Sequence, residues 1–281
     1  MKRSVRKTCT LLLSVVLVVS GSIAAYRTVE QKQAEKSYSE AEQLVDLPVL
    51  EELPPVAEVA RPAQPAPEEI SDQAGEGESV PEKPVYVDPY ADALSRMDFT
   101  ALREVNPDIL GWILIPNTKV SYPLVQGADN EYYLKHTWRK AKSDVGSIFM
   151  EQHCSSDLQD FNTIIYGHRM NNGSMFGSLK HYSTTAYLEQ NPVIYITDDN
   201  GAHAYEIFAA YEADVTGMTY RIGSFTDAEK DTYIQWCLEQ SVIETGIVPT
   251  VHDRIVTLST CTGNGYETRW VVHGVCRNTA E

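Results

Sequence analysis

Ile255-Val256-Thr257-Leu258-Ser259-Thr260-Cys261, followed after a short link by Arg269-Trp270-Val271-Val272-His273-Gly274-Val275, reads as two neighbouring strands. Both are rich in β-branched and apolar residues, the composition of a pleated, half-buried surface. The link contains Thr262-Gly263-Asn264-Gly265, small and polar as a turn requires. A cysteine at a strand end beside a glycine-rich loop can be exposed and approached closely by a substrate backbone. Free cysteines are more often buried, so Cys261 alone decides nothing. An earlier run, Ile164-Ile165-Tyr166-Gly167-His168, has the same form: a buried-looking strand ending in a chemically capable side chain.

Working outward, strand signals dominate the second half of the chain. They fall at 111–115, 119–125, 147–150, 162–167, 193–197 and 203–211, besides 254–260 and 269–275. Asp198-Asp199-Asn200-Gly201 marks a hairpin turn between the fifth and sixth. Pro123 within 119–125 indicates an edge or a bulge. One helical stretch precedes the strands and two interrupt them. Residues 99–105 are apolar at helical spacing, 174–182 form a short helix, and Thr226-Asp227-Ala228-Glu229 opens a helix to 240 with a capping box. That last helix places Tyr233, Trp236 and Cys237 on one face. About eight short strands with few long helices predict a mostly β fold, a closed or nearly closed barrel.

The first 98 residues differ in kind. Lys2, Arg3, Arg6 and Lys7 precede an uncharged, Leu- and Val-rich run over 8–26. Its length suits a short membrane-spanning helix with a cytoplasmic N-terminus. A cleaved signal peptide is the alternative, because Ser22-Ile23-Ala24 resembles a small-residue cleavage site. Residues 27–98 hold 17 acidic against 6 basic side chains and nine of the 14 prolines. Such a segment reads as an extended, self-repelling stalk, with helical character over 27–46 that can continue the first helix. The expected organisation is therefore an anchor at 1–26, a stalk at 27–98 and a folded domain at 99–281. The net charge of −16 comes largely from the stalk and argues against nucleic-acid binding. The five cysteines, Cys9, Cys154, Cys237, Cys261 and Cys276, have no zinc-ribbon or redox-pair spacing. Those other than Cys261 are expected to be reduced or buried. No metal or organic cofactor is implied, and the acidic residues show no calcium-loop spacing.

A thiol, an imidazole and a guanidinium make a set suited to acyl transfer. The thiolate attacks, the imidazolium protonates the leaving amine, and a permanently charged arginine steadies the oxyanion. Cys261, His168 and Arg269 supply those types, and adjacent strands of one barrel can bring them together.

At this level of detail the sequence resembles class B sortases. The resemblance rests on Thr257-Leu258-Ser259-Thr260-Cys261, Tyr166-Gly167-His168 and the downstream Arg269. It extends to Asn106-Pro107-Asp108-Ile109-Leu110-Gly111-Trp112-Ile113, Tyr122-Pro123-Leu124-Val125-Gln126, Asp129-Asn130-Glu131-Tyr132-Tyr133-Leu134, Gly146-Ser147-Ile148-Phe149 and Gly173-Ser174-Met175-Phe176. It covers roughly 99–276. It implies the eight-stranded sortase barrel with an N-terminal helix and a helix inserted between late strands. It further implies a membrane-tethered cysteine transpeptidase of a Gram-positive bacterium, with its catalytic domain outside the cell.

By the same resemblance Cys261 is the nucleophile, His168 the general acid and Arg269 the holder of substrate or oxyanion. Asn130, Leu134, Ser259 and Thr260 line the groove for the sorting signal, with Tyr233 and Ile234 on the inserted helix. The implied partners are exported proteins with a C-terminal sorting signal, the amine of a peptidoglycan precursor or a pilin subunit, and the membrane; the enzyme is expected as a monomer. The link from Cys261 to Arg269 is shorter and richer in glycine than in many class B members. Gly263 stands where some members have an acid, so no catalytic carboxylate is assigned. Two rival readings use the same residues: a secreted cysteine peptidase or cell-wall hydrolase giving the acyl group to water, and a non-catalytic surface barrel that binds a partner.

Overall fold

The computed structural model describes residues 2–56, 88–261 and 267–276. Eight strands form a closed barrel. They are β1 (Ile109–Leu114), β2 (Ser121–Val125), β3 (Ile148–Met150), β4 (Asn162–Tyr166), β5 (Val193–Asp198), β6 (Gly201–Asp214), β7 (Arg254–Cys261) and β8 (Thr268–Cys276). Their order round the barrel is β1-β2-β3-β4-β7-β8-β6-β5, closed by antiparallel pairing of β5 with β1. Two pairs are parallel, β2 with β3 and β4 with β7, and the rest are antiparallel.

Closure leaves no edge strand, so Pro123 is not at an edge, and the bulge lies in β1 between Ile109 and Gly111. Pro123 is tolerated because the β2–β3 ladder starts only at Leu124, after the residue that lacks a donor.

The helices are α1 (Lys2–Leu44), α2 (Pro89–Leu94), α3 (Thr100–Val105), α4 (Thr185–Gln190) and α5 (Asp227–Gln240). The expected helix at 174–182 is displaced. Residues 174–178 form a turn, a 3-10 turn covers Leu179–Ser183, and α4 follows. Met175 has φ +52 and ends any helix there. The capping box at the start of α5 is present as read, with Thr226 and Glu229 capping each other.

The two faces of the β7–β8 ladder have different fates. Val256, Leu258 and Val272 join the main core. Ile255, Val271 and Val275 face the other way and pack under α5 with Tyr233, Ile234 and Cys237. This alternation is the two-residue period of a strand with both faces covered.

The folded body begins well before residue 99, so the parts of the expected stalk at 34–56 and 88–98 pack on the barrel. Ala34, Tyr38, Ala41, Val45, Val56, Tyr90 and Leu94 are buried in the main core. Trp138 Nε1 donates to the Ser37 carbonyl (3.1 Å), and Arg139 pairs with Glu40 (3.2 Å). Averaging charge and proline over the whole segment hid a stripe at 34, 38, 41 and 45, one face of a helix. The prolines at 62, 65, 67, 81 and 84 and the loop 262–265 lie outside the described residues. So do the side chain of Cys9 and several others in the first half of the apolar run. Among the described residues no helix is long and apolar enough to cross a membrane.

Candidate active site

Three neighbouring strands deliver the three candidate side chains. β4 runs parallel to β7 with Tyr166 beside Ser259, and the Gly167 N–H extends the ladder to the Ser259 carbonyl (3.2 Å). One step further the chain reaches His168, next to Cys261. On the other side of β7, Cys261 lies directly opposite Arg269 in the antiparallel ladder with β8. Adjacent strands are about 4.8 Å apart, so the three residues occupy one short row across the sheet. Directly opposed residues share a face, which puts the Cys261 and Arg269 side chains on the same side.

His168 is held from two directions. Its Nε2 lies 2.7 Å from the Leu134 carbonyl, an acceptor only, so Nε2 carries the proton and donates. That leaves Nδ1 to face the thiol. Its carbonyl accepts from the Phe176 N–H (3.0 Å). The hydrogen bond to Cys261 raises the His168 pKa above the ordinary imidazole value. Burial opposes this, and the Leu134 carbonyl and the charges of Cys261 and Asp144 add to it. The same hydrogen bond lowers the Cys261 pKa, against its partial burial, with help from the charges of Arg269, His168 and Arg169. The two shifts have opposite signs and one cause. They favour a thiolate beside an imidazolium, the arrangement a nucleophilic cysteine needs.

The remaining cysteines contrast with this one. Cys154, Cys237 and Cys276 are free and buried. Burial pushes their thiols up, Cys154 to about 11 and Cys237 to about 12.

Comparison with known proteins decides the family. The sortase domain model matches residues 113–277, more than half of the chain. The chain belongs to the sortase family. Sortase B of Listeria monocytogenes is 37% identical over 182 residues, 64% of this chain and 74% of that protein. Sortase B of Staphylococcus aureus is 32% identical over 166 residues, 59% of this chain and 68% of that protein. The solved Staphylococcus aureus sortase B–substrate complex superposes with a TM-score of 0.61 at 30% identity, covering 65% of this chain and 85% of that one. The protein is thus a class B sortase, a cysteine transpeptidase of the cell envelope acting on proteins with a sorting signal, and its closed eight-stranded barrel is the fold the resemblance implied.

Within this sortase the sequence-predicted groove residues separate into two groups. Leu134 and Ser259 adjoin the site. Leu134 acts through its carbonyl on His168, while Ser259 shares a hydrogen bond with the Tyr220 hydroxyl (2.8 Å). Asn130 donates its amide to Glu151, which also accepts from the Tyr166 hydroxyl (3.1 Å), and its side-chain oxygen accepts from the Gln152 N–H (2.9 Å).

The other three do not line an open groove. Thr260 is buried and follows the period of Leu258, pointing away from the face that carries Cys261. Tyr233 and Ile234 are buried beneath α5. There the Tyr233 hydroxyl donates to the Thr219 carbonyl (3.0 Å).

Sequence reasoning missed two residues at the site. Arg169 adds a second positive charge near the thiol, and its place directly after His168 was the available signal. Tyr220, in a 3-10 turn (Met218–Tyr220), lies within electrostatic reach of both Arg269 and Cys261. Burial pushes its pKa up to about 12. No local pattern announces that turn.

Proposed function

We propose that Cys261, His168 and Arg269 carry out the transpeptidation. The thiolate of Cys261 attacks the scissile carbonyl of a C-terminal sorting signal, and the guanidinium of Arg269 stabilises the oxyanion that forms. The carbon–nitrogen bond then breaks, and the departing amine takes a proton from the His168 imidazolium, leaving a thioester. An incoming amine attacks the thioester, gives its proton to His168, and expels the Cys261 thiolate. The thioester conserves the energy of the broken peptide bond, so no nucleotide is consumed. The observation that carries this reading is the row His168–Cys261–Arg269 across adjacent strands, with the thiol pKa lowered and the imidazole pKa raised by their mutual contact.

The acceptor is the amine of a peptidoglycan precursor or a lysine of a pilin subunit. The enzyme works as a monomer tethered by the apolar run 8–26, with a cytoplasmic N-terminus and the barrel outside the cell. Basic residues before the run and the exposed side chains of Leu13, Val16, Leu17, Val18 and Val19 support the tether.

A panel of candidate sorting peptides, offered with and without added amines, tests the function. Mass spectrometry should find a peptide adduct on Cys261, and added amines should divert product from acid to amide. Cys261→Ala should lose both activities while keeping its fold. Exclusive transfer to water would favour the hydrolase reading, and a Cys261 inert to thiol reagents at mild pH would favour a binding barrel.

A further inference from the structure

The helix α1 reaches the catalytic histidine, although it lies outside the matched sortase domain at 113–277. Tyr38 is buried, and its hydroxyl donates to the Gly146 carbonyl (2.6 Å). Gly146 has φ +64, a left-handed conformation that glycine adopts without strain. It also packs so tightly that a Cβ there would lie 2.8 Å from the Leu134 carbonyl oxygen and 2.9 Å from the His168 ring at Cδ2. The backbone that Tyr38 holds is therefore the surface against which the imidazole rests, beside the carbonyl that fixes its tautomer.

Two further ties reinforce this contact. The Asp144 N–H donates to Glu30 (2.5 Å), and the Asn172 side chain, in the loop after His168, donates to Glu35 (3.2 Å). The Tyr38 ring also packs edge-on against Tyr122 (5.1 Å between centroids), whose hydroxyl accepts from the Met175 N–H (2.9 Å). Residues 30–38 of α1 thus touch both chain segments that flank the histidine.

We propose that Tyr38 is a positioning residue for His168: by fixing the Gly146 backbone, α1 sets how the imidazole meets the Cys261 thiol. The proposal rests on the reading of His168 and Cys261 given above. Loss of the Tyr38 hydroxyl lets the 143–147 segment relax, and the His168–Cys261 contact lengthens. Small misplacements of this kind are costly in active sites. The charged and titratable groups facing the pair are Asp144 toward His168, and Arg269, Arg169 and Tyr220 toward Cys261. A change at Tyr38 alters none of them directly.

The test is the pH dependence of Cys261 alkylation by iodoacetamide in the full-length chain in detergent, read as the Cys261 adduct by mass spectrometry. Wild type should show a midpoint below that of an ordinary thiol, and His168→Ala should raise it. Tyr38→Phe should move the midpoint part of the way toward His168→Ala. A half-unit shift would slow alkylation near neutrality about threefold. Tyr90→Phe is the control. It removes the hydroxyl of another buried tyrosine, one that donates to the Pro54 carbonyl (3.0 Å), and should lower thermal stability without moving the midpoint.

A Tyr38→Phe midpoint equal to wild type would overturn the proposal, whatever the melting temperature. A wild-type midpoint that His168→Ala leaves unchanged would sink the underlying pair and the proposal with it. Should Tyr38→Phe fail to fold, the surface variant Glu30→Ala/Glu35→Ala removes the two acceptors and cuts the other two ties; an upward shift there supports the proposal, and an unmoved midpoint overturns it.

Discussion

At the scale of single residues, Arg269 and Cys261 face each other across a ladder, and that geometry sets what substitution there costs. A guanidinium offers a planar fork of donors, whereas an ammonium is a compact point charge on a flexible stem. Arg269→Lys should therefore be nearly as damaging as Arg269→Ala, each losing about 10²–10³ in kcat, or roughly 3–4 kcal/mol. Recovery of most of the rate by lysine would show that only the charge matters.

His168 governs the pH profile. With Cys261 and His168 in the roles proposed above, activity needs the thiol ionised and the imidazole protonated, which gives a bell whose limbs belong to the coupled pair. The Cys261 pKa is lowered, so the rising limb lies below the ordinary thiol range; the His168 pKa is raised, so the falling limb lies above the ordinary imidazole range. In His168→Ala the falling limb should vanish with most of the rate. The rising limb should move to higher pH, because the hydrogen bond that lowers the thiol pKa is gone. A pH–rate profile in that variant matching wild type would remove His168 from the chemistry.

At the scale of elements, the layer between the sheet and α5 is held by a buried polar network centred on His273. Its Nδ1 meets the Thr257 hydroxyl (3.0 Å), and its Nε2 meets the Tyr211 hydroxyl (3.1 Å). Thr257 in turn donates to Asn162 (2.7 Å), tying β7 to β4. This histidine supports structure, and replacing it should spare the chemistry. Burial pushes its pKa down to about 3 from an ordinary 6.5. Above pH 6.5 neither state of the chain carries the proton, and stability has no dependence on this group. Between 6.5 and 3 the unfolded chain takes up a proton that the folded chain refuses, so stability is lost as the pH falls. By pH 5 the loss amounts to about 2 kcal/mol. The urea midpoint of wild type should fall more between pH 7 and pH 5 than that of His273→Gln, which keeps hydrogen-bonding capacity without the titration. Equal falls would refute this source of acid sensitivity.

At the scale of the whole molecule, the barrel does not stand alone. Residues 34–56 and 88–98 contribute buried Tyr38, Val45, Val56, Tyr90 and Leu94 to the main core. Burying each large side chain of this kind is worth about 1.5–3 kcal/mol, and a domain's whole margin is about 5–15 kcal/mol. A chain of 99–281 should therefore be strongly destabilised, whereas 30–281 should retain a cooperative thermal transition near that of the full-length protein. Indistinguishable melting temperatures for the two truncations would mean that the N-terminal packing contributes nothing. The packed body is larger than the match at 113–277, because residues of α1 join the main core and Tyr38 bonds the Gly146 carbonyl behind His168.

Much of this was legible in the chain itself. Alternating β-branched and apolar runs place all eight strands, and the capping box places α5, because local period and local hydrogen bonding are properties of neighbouring residues. The chemistry of a thiol, an imidazole and an arginine is likewise carried by residue type. Tertiary structure decided the rest. The parallel register of β4 on β7 brings Gly167 to Ser259 and hence His168 to Cys261, a pairing between segments far apart in sequence that no local pattern specifies. Packing under α5 buries Tyr233 and Ile234, and strand period turns Thr260 away from the groove. The stripe at 34, 38, 41 and 45 has the spacing of a helix face, yet only the fold shows that it packs on the barrel behind His168. The physical reason is the same in each case: local sequence sets which way a side chain points along its own element, and the closure of the barrel sets what it meets there.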